Sequence, residues 1–265
     1  MTGAMGQSAT ELVHRNLMDV TAMGAVGSGG SAPEVNGELL FVSRSPEQFL
    51  NGVMRERPEG DAGALLERAR SVFFEQGRGF VVYTWPGDPE LERAALAAGM
   101  SPVLDRYPEM VCRSPLEELP GDVRTVAGTE DAAAYWRICD EAYPSIGFSP
   151  GLFTGTFPAE LLLDASQVWA CVAFQDDEPA ACASLWLASG EDSPVGFIGW
   201  VGALPQARGR GLAAACTVAA TNKGFELGAG IVSLQASPMG EAIYRRLGYE
   251  ELYAYRLLGA MPPGS

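Results

Sequence analysis

The residues best suited to chemistry in this sequence cluster in PQARGRGLAAACTVAA, Pro205 to Ala220. Gly209 and Gly211 alternate with Arg208 and Arg210, just ahead of an alanine-rich run that predicts a helix. The first turn of a helix has unpaired N–H groups and the positive end of the helix dipole, so it seats an anion. Glycines let a diphosphate approach those amides, and the arginines add charge from either side. Two common phosphate loops do not fit this corner. A dinucleotide fingerprint wants a third glycine, where Ala214 stands, and an acid at the end of the next strand, which reads Gln235, Ala236, Ser237. A P-loop wants GKS or GKT, and neither occurs.

Other chemistries are poorly supplied. His14 is the single histidine, so a Ser/His/Asp triad or a metal cluster would have to be built around it; no metal is expected. Five cysteines, Cys112, Cys139, Cys171, Cys182 and Cys216, form no CxxC pair and sit in apolar settings, where free Cys is a small core residue. With 33 acidic against 18 basic residues the net charge is −15, which argues against nucleic acid and mildly favours cationic partners. Hydrophobic residues make up 47% of the 265, as in a globular protein, and no run is long enough for a membrane span. The start, MTGAMGQSATELVHRN, lacks the pattern of a secretory leader, so cytoplasm is the expected compartment.

The elements that position the corner fall into two halves. In the first, a helix is expected over Thr10 to Ala22, then the loop GAVGSGGSAPEVNG and a strand Glu38 to Ser43. A helix over Asp61 to Gln76, a strand Phe80 to Pro86, a helix ending at Gly99 and a strand EMVCR follow. SPLEELPGD reads as a linker, and the second half opens with VRTV and a helix from Glu130, capped by Thr129, to about Ala142. An irregular stretch, SIGFSPGLFTGTF, and a short helix near Pro158 to Asp164 come next. VWACVAF, PAACASLWLA and VGFIGWVGAL, joined by polar turns, predict an antiparallel meander. The phosphate corner, a helix to about Leu227, the strand IVSLQAS, a helix over Met239 to Leu247 and the strand YEELYAYRLL complete the chain. This order predicts an α/β fold, of the α+β type with a mixed sheet.

QARGRG, through Gln206, Gly209 and Gly211, resembles the acyl-CoA signature of the GNAT superfamily of N-acyltransferases. SLQASPMGEAIYRRLGYEELYAYRL resembles the closing strand, helix and strand of that family, with Tyr244, Gly248 and Tyr249 at its Tyr-x-x-x-Gly-Phe/Tyr positions. The resemblance covers roughly Asp122 to Leu258. It implies acetyl-CoA as cosubstrate and transfer to a primary amine of a small molecule or peptide. It places the pyrophosphate on the amides of Ala207, Arg208, Gly209, Arg210 and Gly211, at the start of the helix beginning near Leu212. Pantetheine would pair with the backbone of Trp200, Val201, Gly202 and Ala203, beside Ser237, which serves equally as a helix cap. Tyr244 would protonate the departing thiolate. No general base is assigned: the pantetheine strand has no acid, and Glu191, Asp192 and Glu141 are weak candidates. An acyl-CoA sensor without turnover is the alternative.

The first half repeats the order helix, strand, helix, strand, and Phe74-Glu75-Gln76-Gly77 echoes Phe225-Glu226-Leu227-Gly228. Residues 1–115 are read as a degenerate GNAT-like copy or an unrelated cap, and residues 122–265 as the acyl-CoA-binding domain. No nucleic acid and no membrane is expected as a partner; a homodimer stays open.

Overall fold

In the computed structural model, which describes residues 8–188 and 194–264, the first half is built on two helices with well-marked starts. Ser8 accepts the Glu11 N–H while the Glu11 carboxylate takes the Ser8 N–H, a capping box that starts α1 (Ala9–Gly27). Asp61 accepts from the N–H groups of Gly63 and Ala64 and starts α2 (Ala62–Phe74). Around them the first half supplies β1 (Glu34–Val35), β2 (Glu38–Val42), β3 (Asn51–Arg55), β4 (Phe80–Thr84), α3 (Pro89–Ala97) and β5 (Ser101–Cys112). The second half runs β6 (Asp122–Thr125), α4 (Thr129–Ala142), α5 (Leu152–Thr156), β7 (Val168–Gln175), β8 (Glu178–Trp186) and β9 (Val195–Ala203). It ends with α6 (Leu212–Glu226), β10 (Ile231–Gln235), α7 (Glu241–Leu247) and β11 (Glu250–Ala260).

Three local expectations shift. Gly128, not Thr129, holds the cap position of α4, and its side-chain help comes from Asp131, which accepts the Ala127 N–H at 3.0 Å. β5 begins at Ser101, well ahead of the expected EMVCR. β3 is an additional strand, between the expected strand Glu38–Ser43 and the expected helix Asp61–Gln76. There Gly52 is required by close approach: a Cβ would lie 2.2 Å from the Val81 carbonyl oxygen.

All eleven strands join one mixed sheet in the order β1-β2-β3-β4-β11-β5-β10-β9-β8-β7-β6. β3/β4 and β9/β10 are parallel, and β7-β8-β9 forms the expected antiparallel meander. The halves interlock at the centre: β5 lies between β10 and β11, and β11 between β4 and β5. Neither half closes its sheet without the other's last strand. Leu17 and Met18 of α1 share a core with Tyr135, Trp136 and Ile138 of α4 on one face. The opposite face packs α2 and α3 through Leu65, Leu66 and Leu91, and α6 through Cys216 and Ala220. Among the described residues no helix is long and apolar enough to cross a membrane.

Candidate active site

The parallel strands β9 and β10 pair from Val195↔Ile231 to Ile198↔Leu234 and then part. β10 turns towards β5, and the Ala236 N–H bonds the Pro108 carbonyl at 2.9 Å. The edge of β9 from Gly199 to Ala203 therefore borders a slot instead of a strand. On its other edge β9 carries a bulge: Ser184 faces Gly199 but Cys182 faces Gly202, one residue more on β9 than on β8. Trp200 takes the extra turn with φ of +48°, a conformation that a non-glycine residue keeps only when its surroundings hold it. They do hold it. The Tyr135 hydroxyl donates to the Trp200 carbonyl at 3.0 Å, and the Ser184 hydroxyl donates to the Gly199 carbonyl at 2.9 Å. The Trp200 ring is packed between Phe153, Tyr143 and Phe157, with centroids 4.9, 5.6 and 5.9 Å away.

After β9 the chain makes a short 3-10 turn over Pro205–Ala207 and enters α6 through Gly209 and Gly211, with φ of +77° and +81°. Only glycine adopts such angles at little cost, and a Cβ on either would meet nothing within 4 Å, so the space ahead of them is open. α6 has no side-chain cap, and its backbone ladder begins with Ala215 donating to the Gly211 carbonyl. Among the described residues, the N–H groups from Gly209 to Ala214 have no acceptor. Arg208 is partly committed elsewhere: it donates to the Ala142 carbonyl at 3.2 Å and the Ser145 hydroxyl at 3.1 Å, tying the corner to the end of α4. That corner suits a diphosphate in charge, in donor supply and in room.

Across the slot stands α7. Tyr244 is half-buried there, its ring 6.0 Å from that of Tyr249, and desolvation pushes its hydroxyl up to about 12. Its hydroxyl and that of Tyr107 both act on Tyr143, which gathers three phenols at the slot. Ser237 lies beside them and accepts the Gly240 N–H at 3.2 Å.

One cavity of about 760 Å³ joins these parts. Trp200, Val201, Gly202, Ala203, Ala207, Arg208, Gly209, Gly211, Leu212, Ser237 and Tyr244 all line it. Gln206 and Arg210 do not; both are exposed at its rim. Sequence reasoning missed the rest of the wall. Leu17, Phe41, Phe49, Tyr83 and Tyr107 come from the first half, and Tyr143, Phe148, Phe157 and Trp186 from the second. Arg246 also lines it, with no ion pair among the described residues. No signal within the second half could have found the first-half residues, because they arrive on α1, β2, the turn at Gln48–Leu50, β4 and β5.

The candidate bases fare differently. Glu191 and Asp192 lie outside the described residues. Glu141 is exposed and away from the cavity. Among the described residues no Asp or Glu lines the cavity, but Glu109 on β5 is fully buried beside Gln235, and burial raises its carboxyl well above the usual range. His14 is spent on structure. Its Nε2 donates to the Arg55 carbonyl at 2.9 Å, its Nδ1 pairs with the Tyr255 hydroxyl at 2.6 Å, and desolvation lowers it to about 4. All five cysteines are buried and free, and no group of potential metal ligands occurs among the described residues.

The comparisons agree with this geometry. Residues 132–249 match the model of the acetyltransferase (GNAT) family. A GCN5-related N-acetyltransferase from Kribbella flavida is 24% identical, with 99% of this chain and 98% of that one covered and a TM-score of 0.71. A GCN5-related N-acetyltransferase from Sphaerobacter thermophilus is 18% identical, covering 86% and 78% of the two chains, with a TM-score of 0.62. A tandem GNAT protein from the clavulanic acid biosynthesis pathway is 15% identical over 97% of both chains, with a TM-score of 0.58. No protein of curated function matches the sequence. At such identities the likeness is one of fold, and it runs through both halves. Residues 132–249 thus match the GNAT acetyltransferase family, within a chain that has the fold of GNAT proteins from end to end.

Proposed function

We propose that this protein transfers an acetyl group from acetyl-CoA to a primary amine, by direct attack of the amine on the thioester in a ternary complex. The observation that carries the reading is continuity: the glycine corner, the free edge of β9, Tyr244 and an aromatic chamber share one cavity. The corner amides from Gly209 to Ala214 would hold the pyrophosphate, with Arg210 and Arg246 near enough to screen its charge. The β9 edge from Trp200 to Ala203 would pair with pantetheine as an added strand would. That puts the thioester beside the Trp200 bulge, where backbone N–H groups can stabilise an oxyanion. As the C–N bond forms and the C–S bond breaks, Tyr244 donates its proton to sulfur. A phenol held near 12 is fully protonated at neutral pH, which suits a donor.

Residues 1–115 would serve as the far wall of the acceptor chamber, and residues 122–265 as the acyl-CoA-binding unit. The second reading is a sensor that binds acyl-CoA without turnover; among the described residues no carboxylate lines the cavity. Calorimetric titration with acetyl-CoA, followed by thiol detection in the presence of amines, separates the two. The transferase binds acetyl-CoA and frees CoA-SH when an amine is added; the sensor only binds. Gly209→Glu with Gly211→Glu sets two anions in the corner and should weaken acetyl-CoA by more than about 100-fold. No binding by the natural protein would sink both readings.

A further inference from the structure

Half of the buried, unpartnered polar side-chain atoms among the described residues gather in one place. They are both carboxyl oxygens of Glu109, with the hydroxyl of Ser233 and the amide nitrogen of Gln235 that face the carboxyl without forming well-shaped hydrogen bonds. A buried polar atom without a partner costs on the order of 1–3 kcal/mol, more for a carboxyl, so several together need a reason. Their position supplies one. Gln235 sits directly opposite Glu109, one step past Leu234↔Ile198, the last pair before β9 and β10 part. Glu109 is therefore level with the mouth of the slot and two strand spacings, about 10 Å, from the β9 backbone. It shares the sheet face of the cavity with Tyr107, which precedes it by two on β5 and lines that cavity together with Gln235.

We propose that Glu109 is the acceptor-side catalytic residue, whose carboxylate receives the ammonium group of an apolar primary amine and takes a proton from it. This rests on the transferase reading above and names its substrate class and its missing base. An ammonium has three donors, and the cluster offers it two carboxyl oxygens and the Ser233 hydroxyl. Gln235, whose amide faces only the Glu109 carboxyl, can turn aside to admit it. The chamber leading there is walled by aromatic rings, including those of Phe41, Phe49, Phe148 and Trp200, and suits an apolar body behind the amine.

The surroundings set the proton balance. Burial with weak help from Ser233 and Gln235 keeps the empty carboxyl protonated well above the ordinary range. The groups facing it are the phenols of Tyr107 on β5, Tyr83 on β4, and Tyr253 and Tyr255 on β11, with neutral His14 of α1 beyond Tyr255. No arginine or lysine acts on it. A docking ammonium therefore displaces one proton to solvent and leaves the pair R–NH3+ and Glu109 carboxylate. Within the pair the proton moves to Glu109, and the neutral amine attacks the thioester carbonyl. The nitrogen's surplus proton replaces the one that Tyr244 gives to sulfur, and Glu109 is left in its resting acid form. The sum is an amide, a free thiol and one released proton.

The test uses the full chain and 2-phenylethylamine as the amine. Calorimetry in two buffers of different ionisation enthalpy should give about one proton released per amine bound at pH 6. Glu109→Gln, which keeps shape and removes a buried carboxyl, should melt no lower than the natural protein. It should abolish the proton release and weaken the amine at least tenfold. It should also cut kcat/KM for thiol release by about 100-fold, with acetyl-CoA affinity unchanged. Ser233→Ala should weaken the amine less. If Glu109→Gln binds the amine as the natural protein does, with the same proton release, the assignment is overturned. It also falls if the natural protein binds no apolar amine. Failure of the transferase reading looks different: acetyl-CoA does not bind or does not turn over, while the amine titrations still report on Glu109.

Discussion

The two halves of the chain use the same parts and finish them differently. Each has a parallel strand pair, β3/β4 or β9/β10, and a helix, α2 or α6, that follows the first strand of the pair. In the first half the helix start is satisfied from within: the Asp61 carboxylate accepts from Gly63 at 2.8 Å and Ala64 at 3.2 Å. The gap where β3 leaves β4 is filled too. Pairing ends at Val53↔Val82, and the side chain of Arg55 spans the opening to meet Asp88 at 2.6 and 2.7 Å, both side chains fully buried. The second half leaves both places open, a bare glycine start and a slot without a plug. A ligand site here is an interior left incomplete: the orphan amides and free strand edge that one half satisfies with its own side chains are available in the other to an anion and an extended arm.

Opening the filled slot should have the largest effect. Arg55→Met leaves Asp88 buried without its partner, which costs about 3–5 kcal/mol in such pairs. Asp88→Asn should cost less, and Arg55→Met with Asp88→Leu should recover only part of the loss, because an apolar pair removes the unpaired charge but the Asp88 cap on the Leu91 N–H of α3 is lost. Urea denaturation measures all three. Acetyl-CoA affinity should stay unchanged in each variant that folds, since the plug lies in the other half. A fall in affinity as large as the fall in stability would mean that the two slots are coupled through β11 and β5.

The same plug makes the first half acid-sensitive. His14 donates to the Arg55 carbonyl and is held neutral down to about pH 4, whereas an unfolded histidine takes up its proton near pH 6.5. Between these values the unfolded chain binds a proton that the folded chain does not. Stability is therefore full above pH 6.5 and falls by about 3 kcal/mol as pH drops to 4. Glu109 runs the other way: its raised carboxyl holds a proton that the unfolded chain has released, so its contribution is present below about pH 4.5 and is lost as pH rises. Thermal melts are best compared in a Glu109→Gln background, where His14→Phe should flatten the profile between pH 6.5 and 4. An unchanged slope would exclude His14 as its source.

How far this contrast can be read from the sequence differs between its two sides. The glycine corner and Tyr244 are legible because they depend on local order: a strand, two glycines, a helix start, then a strand and a short helix. Their neighbours in the cavity are adjacent in the chain as well as in space. Phe41, Tyr83, Tyr107 and Glu109 are not legible, because they reach the slot through pairings between strands far apart in sequence. Glu109 lies opposite both Gln235 and Tyr253, and no periodicity in EMVCR announces that β5 will enter between β10 and β11. β3 escaped for a different reason. Asn51-Gly52 looks like a turn, but Asn51 bonds the Ser43 N–H and the carbonyls of Ser45 and Glu47, which fixes the preceding loop and lets a strand follow.

Tyr244 sharpens the comparison at the closing helix. Counting back four from the glycine that follows each helix, Gly248 leads to Tyr244 and Gly99 to Ala95, which is fully buried. The first half thus has a packing methyl where the second has a phenol. Tyr244→Phe keeps the ring and removes only the hydroxyl. Stability and acetyl-CoA affinity should hold, while kcat falls roughly 100-fold, the lower end of the range for a general acid. Because the hydroxyl titrates near 12, kcat should show no loss from this group between pH 7 and 10. A Phe variant with natural kcat would return Tyr244 to the role that Ala95 has.

The smallest effect tests the helix starts themselves. Asp61→Ala removes the acceptor for the first amides of α2 and should cost about 1 kcal/mol, as lost caps do. The exposed amides then resemble those of α6, so the question is whether an anion can take their place. Stability of Asp61→Ala should rise with added pyrophosphate no more than stability of the natural protein does, since both keep the α6 corner. The new seat has no open slot beside it, and the position before α2 carries an alanine's Cβ where α6 has Gly211. Recovery of the full 1 kcal/mol by millimolar pyrophosphate, in a variant whose α6 corner is blocked by Gly209→Glu, would show that bare amides suffice. Without that recovery, the positive-φ glycines are what turn a helix start into a seat, because they let the ligand approach all the orphan amides together.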